Sequence, residues 1–157
     1  MKRGAIISLA AALVLAACSR DQRSGLAGVP GGSVPAGAQV VTTAEHEVKV
    51  AVDANHDGRL DLVKIYRDGH LVRVEQDRNA DGRVDLVREY RENQLSREIR
   101  DDNFDGKPET VSTYRHGKLA IVEHDPDGCG WADRTDYYDD NGRLTRSETR
   151  APDTAER

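Results

Sequence analysis

Three segments of this sequence place oxygen-bearing side chains at alternate positions around a glycine. They are Asp53-x-Asn55-x-Asp57-Gly58-x-x-Asp61, Asp77-x-Asn79-x-Asp81-Gly82-x-x-Asp85 and Asp101-x-Asn103-x-Asp105-Gly106-x-x-Glu109. Oxygens at positions 1, 3, 5 and 9, with glycine at 6, reproduce most of a calcium loop. The chemistry is that of a hard cation. Ca²⁺ takes about six to eight oxygens at roughly 2.3–2.6 Å, and a curled loop aims its alternate residues inward. The backbone carbonyl at position 7 (Arg59, Arg83 or Lys107) is available to complete each ring. Three carboxylates per loop against one divalent cation leave a small residual charge, so Ca²⁺ is the expected cofactor.

A fourth segment departs from the pattern. Asp125, Asp127 and Asp133 keep positions 1, 3 and 9, and Gly130 keeps position 6, but Cys129 stands at position 5. Sulfur is a poor ligand for a hard cation, so this loop is expected to bind weakly or not at all. Position 12, where an EF-hand has a bidentate glutamate, is Lys64, Arg88, Ser112 or Asp136. Strand-forming residues follow each loop in place of a helix. The DxNxDGxxD segments therefore resemble the calcium-binding hairpin loops of FG-GAP and VCBS repeats more than EF-hands. The resemblance implies that Asp53, Asn55, Asp57, Asp61 and their counterparts are ligands.

The elements that must position these loops repeat with them. Units of 24 residues begin at Asp53, Asp77, Asp101 and Asp125, the last of them imperfect. A fixed period of this size marks a repeat architecture. Within each unit a β-branched and aromatic run such as Leu62-Val63-Lys64-Ile65-Tyr66 precedes a turn and a returning run such as Leu71-Val72-Arg73-Val74. The turns are Asp68-Gly69, Glu92-Asn93, His116-Gly117 and Asn141-Gly142. Two-residue turns of this kind accept positive φ and favour hairpins. The expected fold is all-β: an antiparallel meander of repeated hairpins with about eight or nine strands. Whether it curves or closes is left open by the pattern. Tyr66, Tyr90, Tyr114 and Tyr138 fall in phase, as do Leu71, Leu95 and Leu119, with Leu144 shifted. They are expected to form an apolar ladder on the sheet. The tyrosine-turn-leucine half of each unit, as in Tyr137-Tyr138-Asp139-Asp140-Asn141-Gly142-Arg143-Leu144, resembles the YD repeats of large secreted bacterial β-shell proteins. That resemblance implies a hairpin meander and no particular activity.

The N-terminus carries an export pattern. Lys2 and Arg3 precede a weakly polar-to-apolar run from Ala5 to Ala17, too short for the roughly 20 residues of a spanning helix. The ending Leu15-Ala16-Ala17-Cys18 closely resembles the lipobox of bacterial lipoproteins. The resemblance implies cleavage before Cys18, acylation of that residue with fatty acids such as palmitate, and a place in the cell envelope. Ser19 at the next position implies the outer membrane. Residues 1–17 are thus assigned to a signal peptide, 18–45 to the lipidated cysteine and a Gly/Pro-rich flexible linker, 46–148 to the repeat domain and 149–157 to a disordered tail.

Composition narrows the function. The net charge of −5, with arginines dispersed among aspartates, gives no basic footprint for nucleic acid. Aromatic residues make up 4% of the chain, so a large packed core is not expected and another source of stability is needed. Two cysteines in different contexts cannot build a disulfide framework. No nucleophile–base–acid arrangement, zinc motif or phosphate-cradling glycine loop is present, so no catalytic residue and no small-molecule substrate are assigned. The expected protein is a membrane-anchored, calcium-binding repeat lipoprotein serving as a structural or protein-binding module, with another envelope protein as the open choice of partner. The alternative is a metal-free, YD-like adaptor or immunity lipoprotein in which the Asp-Gly segments are only turns.

Overall fold

The computed structural model describes residues 38–44 and 46–150. Ten strands form one antiparallel sheet in strict chain order. They are β1 (Ala38–Ala44), β2 (Glu47–Val52), β3 (Leu62–Arg67), β4 (His70–Gln76), β5 (Leu86–Arg91), β6 (Gln94–Arg100), β7 (Thr110–Arg115), β8 (Lys118–His124), β9 (Arg134–Tyr138) and β10 (Leu144–Thr149). The sheet is not closed: β1 and β10 are its two edges. The hairpin meander expected from the repeat is present, with one or two strands more than the repeat alone suggested.

One extra strand comes from the segment assigned to the linker. The glycines and prolines that mark a spacer end at Gly37, and Gln39-Val40-Val41-Thr42 is rich in β-branched residues. β1 pairs along β2 from Ala38↔Val52 to Ala44↔Glu47, so the strand that precedes the first repeat is not left as an edge. At the other end β10 runs to Thr149, one residue into the stretch assigned to the tail. The signal peptide, Cys18 and residues 151–157 lie outside the described residues.

The first three repeat turns behave as their sequence demands. Asp68 and Gly69 have φ of 50° and 77°, Glu92 and Asn93 of 52° and 61°, and His116 and Gly117 of 51° and 74°. Two consecutive positive φ values match the twist of the flanking strands. The fourth turn differs from the expected two-residue Asn-Gly turn. It spans residues 139–143 and is closed by Gly142 N donating to Asp139 O at 2.9 Å and Asp139 N donating to Arg143 O at 3.0 Å. The extra residue in this unit requires the longer loop.

A bulge recurs beside each tight turn. Tyr66 pairs with Leu71 while Ile65 pairs with Arg73, which leaves Val72 as the extra residue. Ser96 and Ala120 occupy the same place in the next two hairpins. Bulges of this kind sharpen local twist. They also keep the tyrosine–leucine pairs facing one another: Tyr66↔Leu71, Tyr90↔Leu95, Tyr114↔Leu119 and, despite the insertion, Tyr138↔Leu144. The ladder exists, but it is not the most buried part of the sheet, and Leu144 is exposed.

The buried apolar residues are Val50, Ala51, Val74, Leu86, Ala120 and Val122. Of the buried strand residues only Ala51 lies on the opposite face. The others share a face with Thr110, Ser112 and Asp136. Charged side chains also cross that face, including Arg88 and Glu98, which are strand partners joined at 2.7 Å. Their aliphatic stems cover neighbouring apolar groups while the heads pair. The other face alternates half-buried Val63, Val87, Ile99 and Val111 with an Arg73–Glu89 ion pair at 2.9 Å. All ten strands thus belong to a single layer with a thin core, and the connecting loops carry an unusual share of the burial.

Candidate metal loops

The Asp-rich segments link β2 to β3, β4 to β5, β6 to β7 and β8 to β9, so all four loops emerge from the same side of the sheet, opposite the tight turns. Each first aspartate is a bracket. Asp53 accepts from the amides of His56 at 2.7 Å and Gly58 at 2.9 Å. Asp77 accepts from Ala80 and Gly82, both at 2.7 Å. Asp101 accepts from Phe104 and Gly106, both at 2.7 Å. Asp125 accepts from Cys129 at 3.1 Å and Gly130 at 2.7 Å. The position-3 asparagine accepts from the position-5 amide in the first three loops, at 2.8, 3.0 and 2.8 Å. The position-5 carboxylate accepts in turn from the amide at position 7, at 2.8, 2.8 and 2.9 Å. Side chains at 1, 3 and 5 are therefore drawn toward the inside of one curl.

Position 9 closes the curl. An Asp61 oxygen accepts from the Ala54 amide, and Asp85 Oδ2 and Glu109 Oε2 accept from Arg78 and Asp102, each at 2.7 Å. The second oxygen of Asp61 lies 3.4 Å from the side-chain Nδ2 of Asn55. Its counterparts Asp85 Oδ1 and Glu109 Oε1 are buried and have no hydrogen-bond partner. Asp85 as a whole is 3% exposed, with Asp77 of the same loop at 6%. A carboxylate oxygen withdrawn from water without a partner is costly, and two buried carboxylates in one loop compound that cost.

Acidic groups converge to different degrees. In the third loop one ligand atom each from Asp101, Asp105 and Glu109 lie within 4.8 Å of one another. In the fourth, Asp125, Asp127 and Cys129 do so, without Asp133, which is exposed. Among the described residues the acids of the first two loops are not gathered to that degree. The Asn79 side chain, followed by the Arg83 amide, holds Asp81 below the usual carboxylate range. Asp127 is lowered by hydrogen bonds from Cys129. A contact with the Trp131 backbone lowers the Cys129 thiol, but the adjoining Asp127, desolvation and the Asp125 charge outweigh it and push the thiol up. A thiol held protonated is no better as a ligand for a hard cation.

Sequence reasoning missed position 4. His56, Ala80 and Phe104 have φ of 63°, 62° and 64°, and Gly128 has 61° in the fourth loop. Position 6 follows at 90°, 91°, 92° and 89°. All four loops therefore share these two left-handed positions, although in the fourth the Cys129 amide, not the position-4 amide, meets the Asp125 carboxylate. Only Gly128 signalled the position-4 requirement, because the other three residues there are not glycine. Loop-to-loop contacts were equally hidden. Asp77 N donates to Asp61 O at 3.0 Å, Asp101 N to Asp85 O at 2.8 Å and Asp125 N to Glu109 O at 2.8 Å.

The remaining polar cluster lies at the C-terminal end of the sheet. Asp136 meets Ser147 Oγ, His124 Nε2 at 3.2 Å and Arg134 at 3.1 Å. The hydroxyl and the imidazole both contact the carboxylate, so the imidazole is not placed to take the hydroxyl proton as a catalytic triad requires. The Ser147 hydrogen bond, aided by Arg134 and His124, lowers Asp136.

No protein-family model matches the chain, and no curated protein matches it in sequence. Among solved structures, the fold overlaps part of a chain described as accessory secretory protein 1, 2 and 3 of Streptococcus pneumoniae, with a TM-score of 0.42 and 10% identity. The overlap covers 69% of this chain and 18% of that one, so this chain spans less than a fifth of that protein's length.

Proposed function

We propose that this is a lipid-anchored protein of the bacterial envelope whose loops bind Ca²⁺, and that the bound ions stiffen a thin β-meander used as a structural or protein-binding module. The observation that carries the reading is the pair of buried, unpartnered carboxylate oxygens, Asp85 Oδ1 and Glu109 Oε1, at position 9 of preformed loops. A divalent cation inside the curl supplies the missing partner for both. The ligands are Asp53, Asn55, Asp57 and Asp61, then Asp77, Asn79, Asp81 and Asp85, then Asp101, Asn103, Asp105 and Glu109. Asp125, Asp127 and Asp133 form the weakest site. Cys18 carries the anchor, and the outer membrane is the proposed location.

The alternative, a metal-free adaptor or immunity lipoprotein, draws on a different observation. Asn55, Asn79 and Asn103 each donate to the position-5 carboxylate, at 3.0, 3.1 and 3.2 Å, and thereby occupy part of the space a cation needs. Calorimetric titration with calcium separates the two. The calcium reading expects saturable binding at about 10⁻⁴–10⁻³ M, the range of extracellular modules. No heat and no saturation would favour the adaptor. Intact-mass analysis of the membrane fraction tests the anchor, the expected product being an acylated chain that begins at Cys18.

A further inference from the structure

We propose that the loops do not bind independently but form a coupled array, in which an occupied loop raises the calcium affinity of the next. This rests on the calcium reading and adds the regulation of its sites. Consecutive ligand residues of neighbouring loops are tied through the backbone: the carbonyl of position 9 in one loop accepts from the amide of position 1 in the next, at 3.0 Å for Asp61 and Asp77 and 2.8 Å for Asp85 and Asp101. A cation that draws Asp61 into the first loop thereby fixes the partner of Asp77 in the second.

Position 7 makes a second tie. The residue whose carbonyl is available to its own loop lays its side chain over the following one. Arg59 donates to Asp81 O at 2.8 Å and to Ala80 O at 3.4 Å. A Cβ on Gly82 would lie 3.3 Å from Arg59 Cδ, one on Gly106 would lie 3.3 Å from Arg83 Nη1, and one on Gly128 would lie 2.7 Å from Lys107 Cδ. At each junction the position-7 side chain thus lies against the next loop, at position 6 in the first two and at position 4 in the third. Arg78 strengthens the second junction by reaching Asp101 O and Asp102 and by covering the Phe104 ring at 5.2 Å. The second loop, with neighbours on both sides, also holds the 3%-exposed Asp85 and its unpartnered oxygen.

The sign of the coupling follows from what each contact requires. Ordering one loop removes conformational freedom that the next must otherwise lose on binding, which makes the second event more favourable. Direct repulsion works against this but weakly. Loops two strands apart are separated by about 10 Å, close to the Debye length of about 10 Å at 0.1 M salt.

The test uses the full chain in detergent, labelled with ¹⁵N-glycine and titrated with CaCl₂. Gly58, Gly82 and Gly106 report their own loops, and Gly117 at the opposite turns reports the fold. Emptying the first loop with Asp57→Asn is expected to raise the calcium midpoint of Gly82 about five-fold, the lower end of typical coupling. Asp61→Asn serves if the first variant does not fold. In an Arg59→Gln background that five-fold dependence shrinks. If Arg59 acted only by charge, its removal would tighten the second loop and leave the dependence intact, which would overturn its bridging role. A Gly82 midpoint unmoved by Asp57→Asn, with calcium still saturating the loop, would overturn the array while leaving the calcium reading standing. Glycine amides indifferent to calcium in the parent protein would overturn both.

Discussion

Ala80 sits at φ of 62°, a conformation disfavoured for residues with a Cβ, in a loop whose counterpart carries Gly128. Ala80→Gly is therefore expected to stabilise the domain by up to about 1 kcal/mol, after the greater flexibility of glycine in the unfolded chain offsets part of the gain. Urea unfolding measures it, and a lower midpoint in the variant would contradict the strain argument. Asp85 makes the opposite case. Its carboxylate is buried with one oxygen unpartnered. On the calcium reading Asp85→Ala weakens binding at the second loop at least ten-fold, by calorimetry. Cys129→Asp supplies the missing oxygen of the fourth loop and is expected to add or tighten a site; four equal sites in the parent protein would refute the ranking. At this scale the common curl of the first three loops was legible, because three identical spacings in phase are hard to produce by chance. The position-4 conformation was not, since His56, Ala80 and Phe104 give no chemical hint of positive φ. Nor could the pattern show that Arg59 acts on the next loop, because its partner lies 22 residues away.

Among the elements, the hairpins follow from the sequence and the edges do not. The Asp-Gly and His-Gly turns, each flanked by β-branched runs, dictate β3–β4 and β7–β8. Glu92-Asn93 adopts the same geometry without a glycine because asparagine tolerates the left-handed region. β1 escaped the sequence reading because Gly- and Pro-rich chain runs up to its first residue. Its pairing depends on an edge that only the folded β2 offers. The one-sided burial was hidden as well, since Val74 and Val122 share a row with Lys64, Arg88 and Glu98, which blurs the alternation. The last two strands are held by Asp136 through Ser147, Arg134 and His124. Because these contacts lower its folded pKa, the stability it contributes is complete above the unfolded value of about 3.9 and is lost as pH falls through the lowered folded value. The gap in urea midpoint between the parent and Asp136→Asn is thus expected to hold at neutral pH and to narrow below about pH 4. A gap that widened on acidification would show that the charge is not what stabilises this end.

Among the described residues the protein is a single sheet without a covering layer, and its buried apolar residues are few and small. Against that thin core, the third loop brings one oxygen each from Asp101, Asp105 and Glu109 within 4.8 Å of one another. At 4 Å and an effective dielectric near 20, each like-charged pair costs about 4 kcal/mol before relaxation, set against total stabilities of about 5–15 kcal/mol for domains of this kind. The central claim is that calcium is part of this fold. Thermal melting of the protein in excess calcium, excess magnesium and chelator tests it most directly. A single site at 100-fold excess over its dissociation constant contributes about 2.7 kcal/mol, and each kcal/mol moves the midpoint of a domain this size by roughly 4–8 °C. The account predicts that calcium raises the melting temperature by about 10 °C or more over chelator. Magnesium should fall between the two, and Asp57→Ala, Asp81→Ala and Asp105→Ala should each reduce the gain. Superimposable melts in all three conditions would contradict it and leave the loops as solvated Asp-Gly turns.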